Sequence, residues 1–145
     1  MEQVMALSPD QLTVQLRDAI TRLNRRLRQE RPLGDLTLTQ LSALTSLRLG
    51  GDLTPRELSD AERVQPPTMT KIVSKLEERG LVQRTPHPTD GRQVLLSPTK
   101  EGLAVIDSYQ RVRDEWLSAR LADLTPEERD TVARAASILE RLARE

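Results

Sequence analysis

The chain has 145 residues, and its 22 basic and 22 acidic side chains give a formal net charge of zero. It contains no cysteine and one histidine, which excludes disulfides and thiolate metal sites and argues against an enzyme or a bound cofactor. The length favours one compact domain, and the lack of a long apolar stretch or signal peptide predicts a soluble cytoplasmic protein.

The first predicted element is a long amphipathic helix between Pro9 and Glu30. Its apolar residues recur at helical spacing, and most of its arginines lie off that stripe. A lone helix of this kind cannot bury its stripe, so we expect it to pack against other helices. The helix should stop near residues 31–34. The stripe consists of Leu12, Leu16, Ala19, Ile20, Leu23 and Leu27.

The second predicted helix begins at a capping box formed by Thr37 and Gln40. Its apolar residues are Leu41, Leu44 and Leu47, and the pair Gly50 and Gly51 ends it. A short connector of 50–52 leads directly into the next element.

Two shorter helices follow in close succession. Thr54, Pro55 and Glu57 form another capping box, which predicts a short helix with Leu58 and Ala61 on its inner face. The chain should break and restart around Gln65, because the next two residues are prolines that favour a first helical turn.

The restarted helix carries one apolar stripe and one polar side. Its stripe is Met69, Ile72, Val73 and Leu76, and Arg79 with Gly80 closes it. The polar side chains that lie largely off the stripe are Thr68, Thr70, Lys71, Ser74 and Lys75.

A β-hairpin is predicted next, with strands at 81–85 and 92–96 around a turn rich in proline and glycine. Asp90 and Arg92 have the i, i+2 spacing that puts two strand side chains on one face, where the carboxylate could hold the guanidinium. His87 lies between two prolines and is interpreted as a solvated loop residue without a chemical role. Helix, turn, helix and hairpin together predict a winged helix-turn-helix.

Two further helices complete the chain. One covers 99–121, and the other begins at a capping box formed by Thr125 and Glu128. Tyr109 and Trp116 are expected to pack against other residues, and a ligand pocket beside them is the alternative role. The two predicted stripes are Leu103, Ile106, Gln110, Arg113, Leu117 and Leu121, and then Val132, Ala135, Ala136, Leu139 and Leu142.

Charge is distributed unevenly although its sum is zero. Between residues 63 and 100 the chain has seven basic residues against three acidic ones, and the compensating acidic residues lie elsewhere. A basic face on a neutral molecule is the pattern expected of a protein that contacts nucleic acid.

The middle of the chain resembles the DNA-binding part of the MarR family, the multiple-antibiotic-resistance regulators. The resemblance rests on residues 67–71, on residues 76–84, and on the run Asp90-Gly91-Arg92 leading to Thr99 and Gly102. Two residues depart from the family pattern: Gln65 stands where a small hydroxylated cap is usual, and Pro98 where leucine is usual.

The resemblance implies a mainly α protein with a small β-hairpin wing. Residues 36–99 would form the winged DNA-binding region, and residues 1–31 and 100–145 a dimerisation arm. A homodimer would bind a pseudo-palindromic operator on double-stranded DNA, as a repressor that a small lipophilic or phenolic effector releases. The implied DNA-binding residues are Thr68, Thr70, Lys71, Ser74, Lys75, Arg84, Asp90 and Arg92, with Asp90 orienting Arg92.

Two other functions are compatible with a winged helix. A protein-interaction module would present exposed apolar residues on the fourth helix, which instead carries threonine, serine and lysine. A non-specific architectural DNA binder would be more basic than a chain of zero net charge.

Overall fold

The computed structural model describes residues 6–32 and 36–145, which form two compact units. We call residues 32–111 the central unit, and residues 6–31 with 112–145 the terminal unit. In chain order the elements are α1 (Pro9–Gln29), α2 (Leu38–Gly50), α3 (Pro55–Glu62), α4 (Pro66–Glu78), β1 (Val82–Pro86), β2 (Val94–Pro98), α5 (Lys100–Ala122) and α6 (Pro126–Arg144). The two strands form one antiparallel hairpin.

Capping boxes begin four of these helices. In each, the N-cap hydroxyl accepts a hydrogen bond from the third helical N–H, and the third side chain accepts one from the N-cap N–H. The boxes at Thr37, Thr54 and Thr125 were predicted and are confirmed. The fourth box, Ser8 with Gln11, has the same spacing but was not predicted from the sequence.

The core of the central unit is built by α2, α3, α4, the hairpin and the first half of α5. The predicted stripes of α2 and α4 are confirmed, with Ile72 at the edge of the core. Among the described residues, the largest fully buried side chains are Leu44, Leu47, Leu58, Met69, Val73, Leu76, Leu96 and Ile106.

The inner face of α3 differs from the prediction. Ala61 is exposed, whereas Ser59 is buried beside Leu58. The carboxylate of Glu62 accepts hydrogen bonds from the hydroxyls of Ser42 and Ser46 on α2. Because Leu58 and Glu62 are one turn apart, these contacts turn that edge of α3 toward α2 and leave Ala61 outside.

The inner face of α5 also differs from the prediction. Gly102, Ile106 and Tyr109 are buried, and the predicted Leu103 is 38% exposed. A Cβ atom on residue 102 would clash with the backbone oxygen of Leu81, so only glycine allows this close approach and sets the rotation of the helix. The packing role predicted for Tyr109 is confirmed, and its hydroxyl accepts a 3.0 Å hydrogen bond from the N–H of Leu36.

The terminal unit contains α1, α6 and the second half of α5. The predicted helices are present, but neither α1 nor α6 has a buried residue. Guanidinium carbons of Arg26 and Arg120 lie 5.3 and 5.4 Å from the centre of the Trp116 ring. Helix α1 ends at Gln29, while residues 33 and 34 of the predicted stop lie outside the described residues.

Candidate nucleic-acid interface

The turn between α3 and α4 is tight. Arg63 is the C-cap of α3, and its backbone has the left-handed conformation with φ at 53°. Residues other than glycine rarely adopt this conformation. The N–H of Val64 donates to the backbone oxygen of Ser59 at 3.0 Å, and the Val64 side chain packs against the core. These contacts fix the angle at which α4 leaves α3.

The N-terminus of α4 is left open. Gln65 is the N-cap and makes no side-chain capping bond, so this departure from the family pattern has a structural consequence. Pro66 and Pro67 have no N–H, so Thr68 supplies the backbone donor of the first turn. The positive end of the helix dipole and this donor are therefore not covered by a capping side chain.

The outward side of α4 is polar, as predicted. All five predicted contact residues of this helix are exposed: Thr68, Thr70, Lys71, Ser74 and Lys75. The Thr70 hydroxyl donates to the backbone oxygen of Pro66 at 2.9 Å, and the Lys75 ammonium lies 3.6 Å from the Glu78 carboxylate. Within the described part of the chain, the side chain of Lys71 makes no hydrogen bond or ion pair.

Arg84 joins the hairpin to α4. Its Nε donates to the Glu77 carboxylate at 2.7 Å, and its side chain stays 41% exposed. A guanidinium has five N–H donors, so this bond leaves donors free for a second acceptor. An open groove beside it is lined by Pro55, Met69, Thr70, Val73 and Arg84, among others.

The wing is a hairpin whose register pairs Val82 with Pro98 and Pro86 with Val94. The predicted strands were wrong by one or two residues, and both Asp90 and Arg92 lie in the loop 87–93 instead of on a strand. The loop is closed by a bond from the N–H of His87 to the oxygen of Gln93, and by another from the N–H of Gln93 to the oxygen of Asp90.

The predicted contact between the Asp90 carboxylate and the Arg92 guanidinium is absent from the described residues. Instead, Asp90 Oδ1 accepts a 3.0 Å hydrogen bond from the backbone N–H of Arg92. Aspartate side chains readily bond the backbone two residues ahead in a turn, and this local bond uses the carboxylate. Asp90 therefore orients the backbone of Arg92 and leaves its guanidinium exposed to solvent.

His87 has a structural role that the sequence did not reveal. Its Nδ1 accepts hydrogen bonds from the N–H of Asp90 at 3.1 Å and of Thr89 at 3.2 Å. Aspartate or asparagine usually organises such a turn, and histidine stands at that place here. The only signal in the sequence was therefore the position of an acceptor side chain two and three residues before the donors. On the neighbouring α3, hydrogen bonds from the hydroxyl and N–H of Thr54 lower the pKa of the Glu57 carboxyl.

Other classes of site are not found in the described ranges. Residues 6–32 and 36–145 contain no group of three acidic, histidine or cysteine side chains that could hold a metal ion. In the same ranges, no helix has the length and apolar character needed to cross a bilayer.

Comparison with known proteins identifies the family. The MarR family model matches residues 36–94, which span α2 to the start of β2. An HTH-type transcriptional regulator of Mycobacterium tuberculosis is 46% identical over 121 residues, covering 83% of this chain and 85% of the relative. The chain belongs to the MarR family. This MarR-family chain is therefore a DNA-binding transcriptional regulator and not an enzyme.

Two further similarities extend over most of the chain. The HTH-type transcriptional repressor MdtR of Bacillus subtilis is 32% identical over 108 residues, covering 74% of this chain and 68% of MdtR. A crystal structure of a transcriptional regulator from Pseudomonas aeruginosa has a TM-score of 0.82 and 35% identity, covering 97% of this chain and 99% of the other. The winged helix-turn-helix fold predicted from the sequence is confirmed.

Proposed function

We propose that this MarR-family regulator acts in the cytoplasm as a homodimer that represses transcription. Each subunit places its α4 helix in a major groove of a pseudo-palindromic DNA site. The observation that carries the proposal is the outward side of α4, which is polar, basic and ends in an open helix N-terminus. Repression is supported by the similarity to MdtR, which is named a repressor.

The exposed residues of α4 divide by chemistry. Thr68, Thr70 and Ser74 have hydroxyls that can donate to or accept from base edges in the major groove. Lys71 and Lys75 carry point charges suited to phosphate oxygens. The N–H of Thr68 lies at the positive end of the α4 dipole, where an anion is favoured. We expect the lysines to provide affinity and the hydroxyls to provide sequence preference.

The wing supplies a second contact in the proposal. The exposed Arg92 guanidinium is long enough to enter a minor groove, where A·T-rich sequence strengthens the negative potential. Asp90 does not touch DNA but fixes the backbone of Arg92, and Arg84 provides a further phosphate contact beside α4.

Dimerisation rests on the exposed apolar residues of α1 and α6. Leu12, Ile20 and Leu142 are each about half exposed, which is typical of a surface covered by a partner. A small lipophilic or phenolic effector that releases DNA is the part of the proposal that rests on the resemblance to the family.

The decisive experiment is selection of bound duplexes from a random pool by the purified protein. We expect enrichment of one pseudo-palindromic sequence with two half-sites about one helical turn apart. Enrichment of no sequence would favour the architectural binder, and failure to bind any duplex would favour the protein-interaction module.

Variants of the wing then test the proposed contact. Replacing Arg92 by alanine should weaken binding to the selected site by about 1–3 kcal/mol per half-site. Asp90→Ala should also weaken it, whereas Asp90→Asn should bind nearly as well, because the amide oxygen still accepts the Arg92 N–H. If Asp90→Asn is as weak as Asp90→Ala, the charge and not the backbone bond orients Arg92.

A further inference from the structure

The imidazole of His87 is the acceptor around which the wing loop turns. Its Nδ1 receives the N–H of Thr89 at 3.2 Å and the N–H of Asp90 at 3.1 Å, and the Thr89 hydroxyl lies 3.4 Å away. Two backbone donors point at this nitrogen, so it carries a lone pair and the ring proton belongs on Nε2. This arrangement requires neutral His87 in one tautomer.

The bonds of His87 continue to Arg92. His87 holds the N–H of Asp90, and the side chain of Asp90 holds the N–H of Arg92 at 3.0 Å. The N–H of His87 itself donates to the oxygen of Gln93 at 3.2 Å, so His87 is bonded both to the middle and to the far end of the loop. A change at His87 is therefore transmitted to the backbone that presents the Arg92 guanidinium.

We infer that His87 is a positioning residue for DNA binding, because its Nδ1 orders the wing loop that presents Arg92. The inference rests on the proposed contact of Arg92 with DNA. Removing this acceptor leaves the N–H groups of Thr89 and Asp90 without their partner, so the backbone of Arg92 is no longer held in place.

Three substitutions at residue 87 test the positioning role. His87→Asn keeps an acceptor at the Nδ1 position, so it should bind its selected duplex like wild type at pH 7.5. His87→Ala has no acceptor, and His87→Gln carries the same amide one methylene farther out. Both should bind about tenfold more weakly at pH 7.5. Equal binding by the Asn and Gln variants would overturn the inference.

A final pair of measurements distinguishes failure of this inference from failure of the proposed wing contact. In the Arg92→Ala background, His87→Ala should cause no further loss, because the two residues act through one contact. The ¹⁵N shifts of the free protein should show an Nε2–H imidazole, and a proton on Nδ1 would overturn the inference. If the tautomer is as expected but Arg92→Ala binds like wild type, the proposed wing contact is wrong.

Discussion

The central and terminal units use their apolar residues in opposite ways. In the central unit, leucines from α2, α3, α4 and β2 are fully buried within one chain. In the terminal unit, α1 and α6 have no buried residue, although both have a regular apolar stripe. The same helical spacing therefore gives a finished core in one unit and an uncovered surface in the other.

This difference shows which part of the chain is complete on its own. The hydrophobic free energy of the central unit is already realised, because its apolar surface is removed from water in the single chain. The stripes of the terminal unit can contribute that free energy only when another surface covers them. We therefore expect substitutions in the two units to report on different equilibria.

The largest effect is expected in the core of the central unit. Leu44→Ala should lower the free energy of unfolding by about 2–5 kcal/mol, because Leu44 is fully buried and its loss leaves a cavity. Leu49→Ala on the same helix is the matched control, since Leu49 is 82% exposed and its loss should cost less than about 0.5 kcal/mol. Denaturant titration measures both, and equal losses would contradict the assigned core.

The next largest effect is expected in association. Ile20→Ser together with Leu23→Ser should raise the dimer dissociation constant at least about tenfold, because burying one such side chain contributes about 1.5–3 kcal/mol. Both residues are nearly half exposed in the single chain. Sedimentation equilibrium measures the constant, and Leu49→Ser should leave it unchanged. A double variant that dimerises like wild type would place the interface elsewhere.

A smaller effect of opposite sign is expected at the turn before α4. Arg63→Gly should raise the free energy of unfolding by up to about 1 kcal/mol, because glycine adopts the positive φ of this residue without strain. Arg111→Gly within α5 is the control and should lower it by about 0.5–1 kcal/mol, since glycine is a poor helix former. Thermal unfolding of the two variants should shift in opposite directions.

The smallest effect concerns Glu57 and the pH dependence of the central unit. Its pKa is lowered in the folded state, so its contribution to stability is fully present above the ordinary glutamate pKa of about 4.3. The contribution is lost as the pH falls through the lower folded pKa. The stability difference between wild type and Glu57→Gln should therefore be constant from pH 7 to 5.5 and shrink below about pH 4. A difference that grows as the pH falls would contradict the sign.

The sequence alone determined the local elements and the family. Capping boxes at Thr37, Thr54 and Thr125 and the prolines after Gln65 act within a few residues, so their positions could be predicted. The stripe of α4 has one inner side because its period matches the helix. The motif residues of α4 and the wing lie in short runs of sequence, so they indicated the MarR family without knowledge of the tertiary structure.

Only the tertiary structure decided which faces turn inward and which atoms meet. The rotation of α5 follows from the approach of Gly102 to the backbone of Leu81, a contact between residues far apart in sequence. In the wing, the pairing of β1 with β2 leaves Asp90 and Arg92 in the loop between the strands, so the strand spacing used for the prediction did not apply. Periodicity describes a single element, whereas such contacts depend on where the neighbouring elements lie.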